Sequence, residues 1–510
     1  MRRKFLPLVL SILAISLSSC IIVDGNDDSY LYDESYGNFW AQNFYNNRFY
    51  RVDAEPEPFA TGKHCTVWVE KGSGVSESKA KKIADEYDSN IYPKMMDAFC
   101  DNFTFEDDEG TIITKNTMEL ADWMVDGDGK LCILLLDIKD AYQGSGSTYT
   151  AGYFWAGNFF ETGDIRHSNQ RNMIYIDTYP GIAGEEESYR TIAHELQHLM
   201  NFVTSYFARC DDNGEYFDPM DTWVDEGLSS AAEWIYAGTH PEDDIKWFNS
   251  DPSELIRRGN NFFVWGNREK ENSGAILDDY VTVYLFFQWL RLQAGTNEIY
   301  KDIITSPFYD YKAVTRAADF HMNGNGYSDW GTLLKTWLAA NYINAPNGQY
   351  GYMNDLSEPS LKDIKAKTVP SGIKTIRLAP GEGVYSITSN YFMPSSQINS
   401  TIKYAGLNKS TPALSDTKTY NGGALLTYNV NTLKYDNSPD LSPMDPGETT
   451  GIEASEDIAA ANIFTDASRQ AFSFKRPFAI SAADMLRQNG HEKSFLSIDL
   501  SNYHKKILDE

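Results

Sequence analysis

The sequence predicts an α+β protein, and three features of its pattern say so. Short β-rich runs precede residue 180, helical spacing dominates from about 186 to 342, and short β-like runs between turns follow about 350. The first strand is His64-Cys65-Thr66-Val67-Trp68-Val69-Glu70, β-rich and bounded by glycines. Residues 76–99 follow as a helix. Ala80, Ile83, Ala84, Tyr87, Ile91 and Met95 recur on one stripe, and Ser76 is placed to cap it. The continuous apolar run Leu131-Cys132-Ile133-Leu134-Leu135-Leu136 has strand length and reads as a strand buried on both faces. Met173-Ile174-Tyr175-Ile176 is another. Helices are expected over 187–205, 222–236, 277–293 and 326–342. Later strands are Thr375-Ile376-Arg377-Leu378 and Ala424-Leu425-Leu426-Thr427-Tyr428, with a Pro- and Gly-rich loop at 437–451. No internal repeat is visible.

The chain has 510 residues, 42% of them hydrophobic and 14% aromatic, enough to bury a sizeable core and to exclude a disordered chain. No long apolar run recurs, which excludes a multipass membrane protein. With 44 Lys and Arg against 72 Asp and Glu, the net charge of −28 argues against nucleic acid as a partner. Arg2, Arg3 and Lys4 precede an apolar stretch, Phe5 to Leu17, too short to span a bilayer. It ends in Leu17-Ser18-Ser19-Cys20, which resembles a bacterial lipobox with Ser19 where Gly or Ala is usual. Residues 1–19 are therefore expected to be a signal peptide, Cys20 the lipidated residue, and 20–60 a tether rich in Asp, Asn and Tyr. Cleavage would remove three positive charges and leave −31. The expected location is the bacterial envelope, lipid-anchored. Ile21, where an aspartate would favour inner-membrane retention, points to the outer membrane or cell surface. Cys65, Cys100, Cys132 and Cys210 remain, with no CxxC spacing, and their pairing is left open.

The stretch that carries chemistry is Thr191-Ile192-Ala193-His194-Glu195-Leu196-Gln197-His198-Leu199-Met200. Residues four apart share a helix face, so His194 and His198 can hold one metal ion through two imidazoles. Glu195 beside them can take a proton from a water whose pKa the metal has lowered. Asn201 and Thr204 stand where a metzincin would carry its Gly and third His. A carboxylate is the remaining choice. Asp221-Thr222-Trp223-Val224-Asp225-Glu226-Gly227-Leu228-Ser229-Ser230 reads as a second helix, with Glu226 lying 28 residues past His198. Glu226 is the expected third ligand, with Asp225 and Glu233 as competitors. Glu233 is also a candidate to orient a ligand histidine. Two His and one Glu leave a zinc position open for catalysis.

His194-Glu195-x-x-His198 followed by Trp223-x-x-Glu226-Gly227-Leu228-Ser229 resembles the gluzincin zinc metallopeptidases. Within them it is most similar to the hyicolysin-type family of secreted bacterial proteases. The likeness extends to Asp126–Lys130, the run after it, and Met173–Tyr179, covering roughly residues 61–300. It implies a zincin-like domain over 61–345, with a sheet-containing N-terminal subdomain and a helical zinc subdomain. A β-rich C-terminal domain over 346–510 would follow. It further implies zinc as cofactor, a polypeptide substrate, and a tyrosine that stabilises the oxyanion on the helix around residue 280. Tyr280 is the first choice and Tyr284 the second, while His240 and His321 read as ordinary polar histidines. The substrate-anchoring signature of gluzincin aminopeptidases is missing upstream of the zinc motif, since Gly351-Tyr352-Met353-Asn354 comes after it. That favours an endopeptidase. Asp126-x-Asp128-Gly129 resembles the start of a calcium loop but fails its register, because Leu131 stands where the sharp-turn Gly belongs. A strand-initiating turn is the plainer reading. Two rivals remain: a surface binding or adhesion lipoprotein on an inactive protease scaffold, and a zinc hydrolase of non-peptide bonds.

Overall fold

A computed structural model describes residues 38–433, apart from 47, 107–110, 141, 143–147, 161, 163–164, 210–217, 260–261, 269–274, 323, 371–375, 388–400, 418–419 and 421–422, together with the backbone of 440–441 and 476–477. Residues 1–19, Cys20, the first part of the expected tether, Cys210 and almost all of the loop at 437–451 lie outside the described residues.

The strands are β1 (Phe39–Asn43), β2 (Arg48–Val52), β3 (Ala60–Thr61), β4 (Cys65–Val69), β5 (Asn102–Glu106), β6 (Ile112–Asn116), β7 (Leu131–Leu136), β8 (Thr148–Tyr149), β9 (Gly152–Phe154) and β10 (Met173–Asp177). The central sheet has the order β3-β4-β7-β10-β9. Its three inner strands are parallel, and β3 and β9 run antiparallel at the two edges. Every residue of β7 is buried, as its unbroken apolar run requires of a strand covered on both faces. The helix expected over 76–99 forms as α1 (Glu77–Glu86) and α2 (Tyr92–Phe99), joined by a π-helical turn. Ser76 caps α1, its hydroxyl accepting from the Lys79 amide at 3.3 Å. The capping box of Asn116 and Glu119 starts α3 (Thr117–Met124).

The helical part comprises α4 (Glu186–Arg209), α5 (Thr222–Ala237), α6 (Glu242–Ser250), α7 (Ala275–Ala294), α8 (Glu298–Ile304), α9 (Tyr311–His321) and α10 (Trp330–Ile343). Four of these occupy the expected segments. α10 begins later than 326 because Asp329 caps it, accepting from the Thr332 amide at 2.8 Å. α6, α8 and α9 were not expected, being short and set between turns. No helix among the described residues is long and apolar enough to cross a membrane.

Two expectations about organisation meet a different arrangement. Residues 38–60 were read as tether for want of aliphatic side chains, yet β1 and β2 pair there and bury Phe39, Ala41 and Val52 in the main core. Aromatics hold them there: Phe39 packs edge-on against Trp68 at 5.2 Å, and Phe49 lies tilted against Trp155 at 4.5 Å. After residue 346 the structure is β-rich, with β11 (Ile376–Arg377), β12 (Gly383–Ile387), β13 (Ile402–Asn408), β14 (Ala413–Ser415) and β15 (Ala424–Asn429). The last four form one antiparallel sheet of order β12-β15-β13-β14. No gap in the core separates it from the helices. Tyr352, Leu361, Tyr385, Leu407 and Leu426 are buried in the same cluster as the α4, α5 and α7 side chains. The Tyr385 hydroxyl donates to the Leu338 carbonyl of α10 at 2.7 Å.

Cys65, Cys100 and Cys132 are free thiols. Thr66 lies opposite Cys132 and Cys65 opposite Leu131, so the pleat turns the two buried thiols to opposite faces of the sheet. Burial pushes each of them up to about 12.

Candidate metal centre

The 24 residues of α4 span about 36 Å, and nearly all side chains from Ser188 to Tyr206 are buried. This helix lies against β10 and the edge strand β9 on one side and α5 on the other. Its passage through the middle of the protein is what buries His194, Glu195 and His198. On its other side α5 packs closely on α7 at Gly227, where a Cβ would collide with the Phe287 ring. The residue before it, Glu226, meets the two histidines of α4.

The structure brings together His194, His198 and Glu226. One Glu226 oxygen, Oε2, lies 3.4 Å from His194 Nε2 and 3.6 Å from His198 Nε2. The three candidate ligand atoms all fall within 4.8 Å of one another, and no other such cluster exists among the described residues. Each imidazole has its far nitrogen committed. His194 Nδ1 donates to Glu233 Oε1 at 2.8 Å. His198 Nδ1 donates to Asp225 Oδ1 at 3.0 Å, with Ser229 Oγ also 3.0 Å away. Asn201 Nδ2 holds the same Asp225 oxygen at 2.5 Å. Asp225 and Glu233, the competitors for the third ligand, therefore turn both Nε2 atoms toward Glu226 instead of joining them. The two Nε2 atoms and both Glu226 oxygens are buried without a hydrogen-bond partner, as are both oxygens of Glu195. So many unmatched buried polar atoms would be costly by themselves, and two imidazoles plus a carboxylate form a donor set that suits zinc.

The charges follow from burial. Burial pushes the Glu195 carboxyl up to about 7, although His194 and His198 pull it back. For His194, burial lowers the imidazole but the carboxylates of Glu226 and Glu233 override it, holding it at about 9 in the metal-free protein. Burial likewise raises Glu226, yet the two histidines outweigh it and leave it below its ordinary value.

His194 and Glu195 open onto a cavity of about 470 Å³, whose wall includes Ala151, Tyr280 and His240. Tyr280 lines the same wall, its ring edge-on to Trp265 at 4.9 Å. Tyr284 is turned away and shares a short hydrogen bond with His240 Nδ1. His240, read from the sequence as an ordinary polar residue, is buried in the cavity wall, its Nε2 held by Asp355 at 3.0 Å. No pattern in the chain could have joined two residues 115 apart. His321 pairs with Asp302 at 2.7 Å and does not line the cavity. At the suspected calcium loop, Asp126 and Gly129 adopt positive φ, the Asp122 carboxylate accepts from the Gly129 amide at 2.8 Å, and Asp128 accepts from Lys130 at 3.2 Å. Those are the contacts of a turn that leads into β7.

No protein-family model matches the chain. It is 28% identical over 323 residues to the neutral metalloprotease ShpI of Staphylococcus hyicus. The relative is a metalloprotease. The match covers 61% of this chain and 65% of that protein, so less than two thirds of the relative's length is spanned. The buried pair of histidines and one glutamate fits a gluzincin, and the mixed α and β architecture is consistent with a zincin-like domain.

Proposed function

We propose that the protein is a zinc-dependent endopeptidase held on the outside of a bacterial envelope by a lipid on Cys20. The observation that carries the catalytic part is the convergence of four buried side chains, His194, His198, Glu226 and Glu195, whose partnerless polar atoms lie together, with His194 and Glu195 opening onto one cavity. His194 Nε2, His198 Nε2 and the Glu226 carboxylate would hold zinc, which supplies Lewis acidity and a site for water. Glu195 is the general base. Its carboxylate takes a proton from the attacking water and returns it to the leaving nitrogen as the C–N bond breaks. The Tyr280 hydroxyl donates to the carbonyl oxygen as charge develops there. Among the described residues β9 stands at the edge of the sheet, and Ala151 just before it lines the cavity, so an extended peptide can lie along it. Similarity to a neutral metalloprotease supports the same reading.

The test compares full-length protein, purified in detergent, with its Glu195→Ala variant for zinc content and casein cleavage. The expected result is about one zinc in both, and cleavage by the wild type alone. Zinc binding with no cleavage of casein or a peptide library would instead favour the inactive scaffold or the non-peptide hydrolase. The anchor is tested separately: Cys20→Ala is expected to abolish incorporation of labelled palmitate and release the protein from membranes.

A further inference from the structure

The cavity wall contains a buried imidazole that the proposed chemistry does not use. His240 is only 2% exposed, yet it lines the same cavity as His194, Glu195 and Tyr280. Its neighbour in the chain is tied to the zinc helix. Arg190, one turn before His194, donates to the carbonyl and hydroxyl of Thr239 at 3.1 and 2.6 Å. The ring stands between two further parts of the chain. Nε2 meets Asp355 Oδ2 at 3.0 Å, and Nδ1 meets the Tyr284 hydroxyl of α7. Burial lowers the His240 imidazole, although Asp355 pulls it up. A carboxylate only accepts, so the neutral ring keeps its proton on Nε2 and donates it to Asp355, and the Tyr284 hydroxyl donates to Nδ1. Asp355 is itself braced, accepting from the Ser357 hydroxyl at 3.0 Å and the Leu361 amide at 3.2 Å. Glu358 and Pro359 of the same segment line the cavity.

Tyr280 and Tyr284 are four residues apart and share one face of α7. Trp247 and Gly266 tie the start of this helix, donating to Asp278 at 2.7 Å and to Asp279 at 2.8 Å. One turn past Tyr280, Tyr284 ties it again. Every residue from Ala275 to Leu290 is buried, and apolar packing is non-directional, so these hydrogen bonds set the rotation of the helix about its axis. We propose that His240 is a positioning residue: by linking Asp355 to Tyr284 it fixes the rotation of α7 that presents Tyr280 to the scissile carbonyl. The segment around Asp355 thereby becomes a working part of the active site. The inference rests on the peptidase reading and on Tyr280 as the oxyanion donor. Such a donor acts only where it is aimed at the oxygen that gains charge, and a displacement of about 1 Å can cost about 10²-fold in rate. His240 itself touches neither substrate nor zinc in this arrangement, because both ring nitrogens are occupied.

The experiment measures kcat and KM for one peptide with zinc-loaded full-length protein, in a double-mutant cycle of His240→Gln and Tyr280→Phe. His240→Gln is expected to lower kcat by about 10- to 100-fold with KM and zinc content unchanged. It is expected to have no further effect in Tyr280→Phe, which has already lost the hydroxyl being aimed. Tyr284→Phe keeps the buried ring and removes only the donor to Nδ1, so it is expected to reproduce the loss if His240→Gln folds poorly. Asp355→Ala is expected to lower kcat in the same way. Losses that add in the double variant, or wild-type kcat in Tyr284→Phe or Asp355→Ala, overturn this inference and leave the peptidase reading standing. Wild-type kcat in Tyr280→Phe overturns Tyr280 as the donor, and this inference with it. No cleavage by the wild type overturns the peptidase reading and this inference together.

Discussion

His194 and His198 each use one ring nitrogen on a neighbouring carboxylate, and this decides which nitrogen faces Glu226. A histidine in a helix can rotate, and its two nitrogens are equivalent to sequence reasoning. Asp225 and Glu233 remove that freedom. Asp225→Asn is therefore expected to weaken zinc binding by about 10- to 100-fold without removing a ligand, measured by competition with a chelator. Wild-type affinity would mean that the Ser229 hydroxyl suffices to hold His198. Glu195→Ala makes the opposite case. It is expected to leave zinc affinity close to wild type while lowering kcat/KM by at least about 10²-fold, since only the proton transfer is lost. From the sequence, Glu226 was distinguished from Asp225 and Glu233 only by its spacing and resemblance. The structure separates them by the atom each one faces.

Between elements, the site depends on how closely α4 can approach the strand beside it. Gly152 on β9 faces α4: a Cβ there would lie 2.7 Å from Thr191 Cγ2, 3.0 Å from the Tyr175 carbonyl oxygen and 3.1 Å from Glu195 Cγ. The backbone oxygen cannot swing away as a flexible side chain could. Gly152→Ala is therefore expected to shift the edge strand away from Glu195, costing about 1–3 kcal/mol of stability and lowering kcat. Thermal unfolding and peptide cleavage check it together. Unchanged values in both would show that β9 can move without cost. α6, whose first turn carries Asp244, illustrates the reverse situation. Nine residues following Pro241 are too few for a reliable helical period, so no sequence pattern announced that this segment would wall the cleft.

At the scale of the molecule, one core joins the helices to the strands beyond residue 346. Arg268 makes two hydrogen bonds to Glu382, at 2.9 and 2.7 Å, with both side chains buried. Glu382→Ala would leave the guanidinium buried without this carboxylate and is expected to cost about 3–5 kcal/mol. Calorimetry is expected to show a single transition at lower temperature. Two separated transitions would mean that the C-terminal sheet unfolds by itself. A pH dependence is built into the same region. Burial pushes Asp278 from 3.8 up to about 7, although Ser253 and Trp247 donate to it. Between those values the folded protein keeps a proton that the unfolded chain releases. Stability from this residue is therefore lost as pH rises across that window. Asp278→Asn carries no such proton, so its Tm relative to wild type is expected to rise between about pH 4 and about pH 7. A constant difference would place the titration elsewhere.

The sequence by itself determined the α+β class, the buried strand at 131–136, the long helix with His194, Glu195 and His198, and the helix that brings Glu226. These are local properties: apolar period, capping residues and i,i+4 spacing act over a few residues and can be read in order. Tertiary structure alone decided that Asp225 orients His198, that β9 lies beside Glu195, and that His240 meets Asp355. It also decided that residues 38–60 join the core through aromatic contacts and that the sheet after 346 shares that core. Each of these depends on segments meeting across the chain, and contact between distant segments is settled by packing, which no local pattern records.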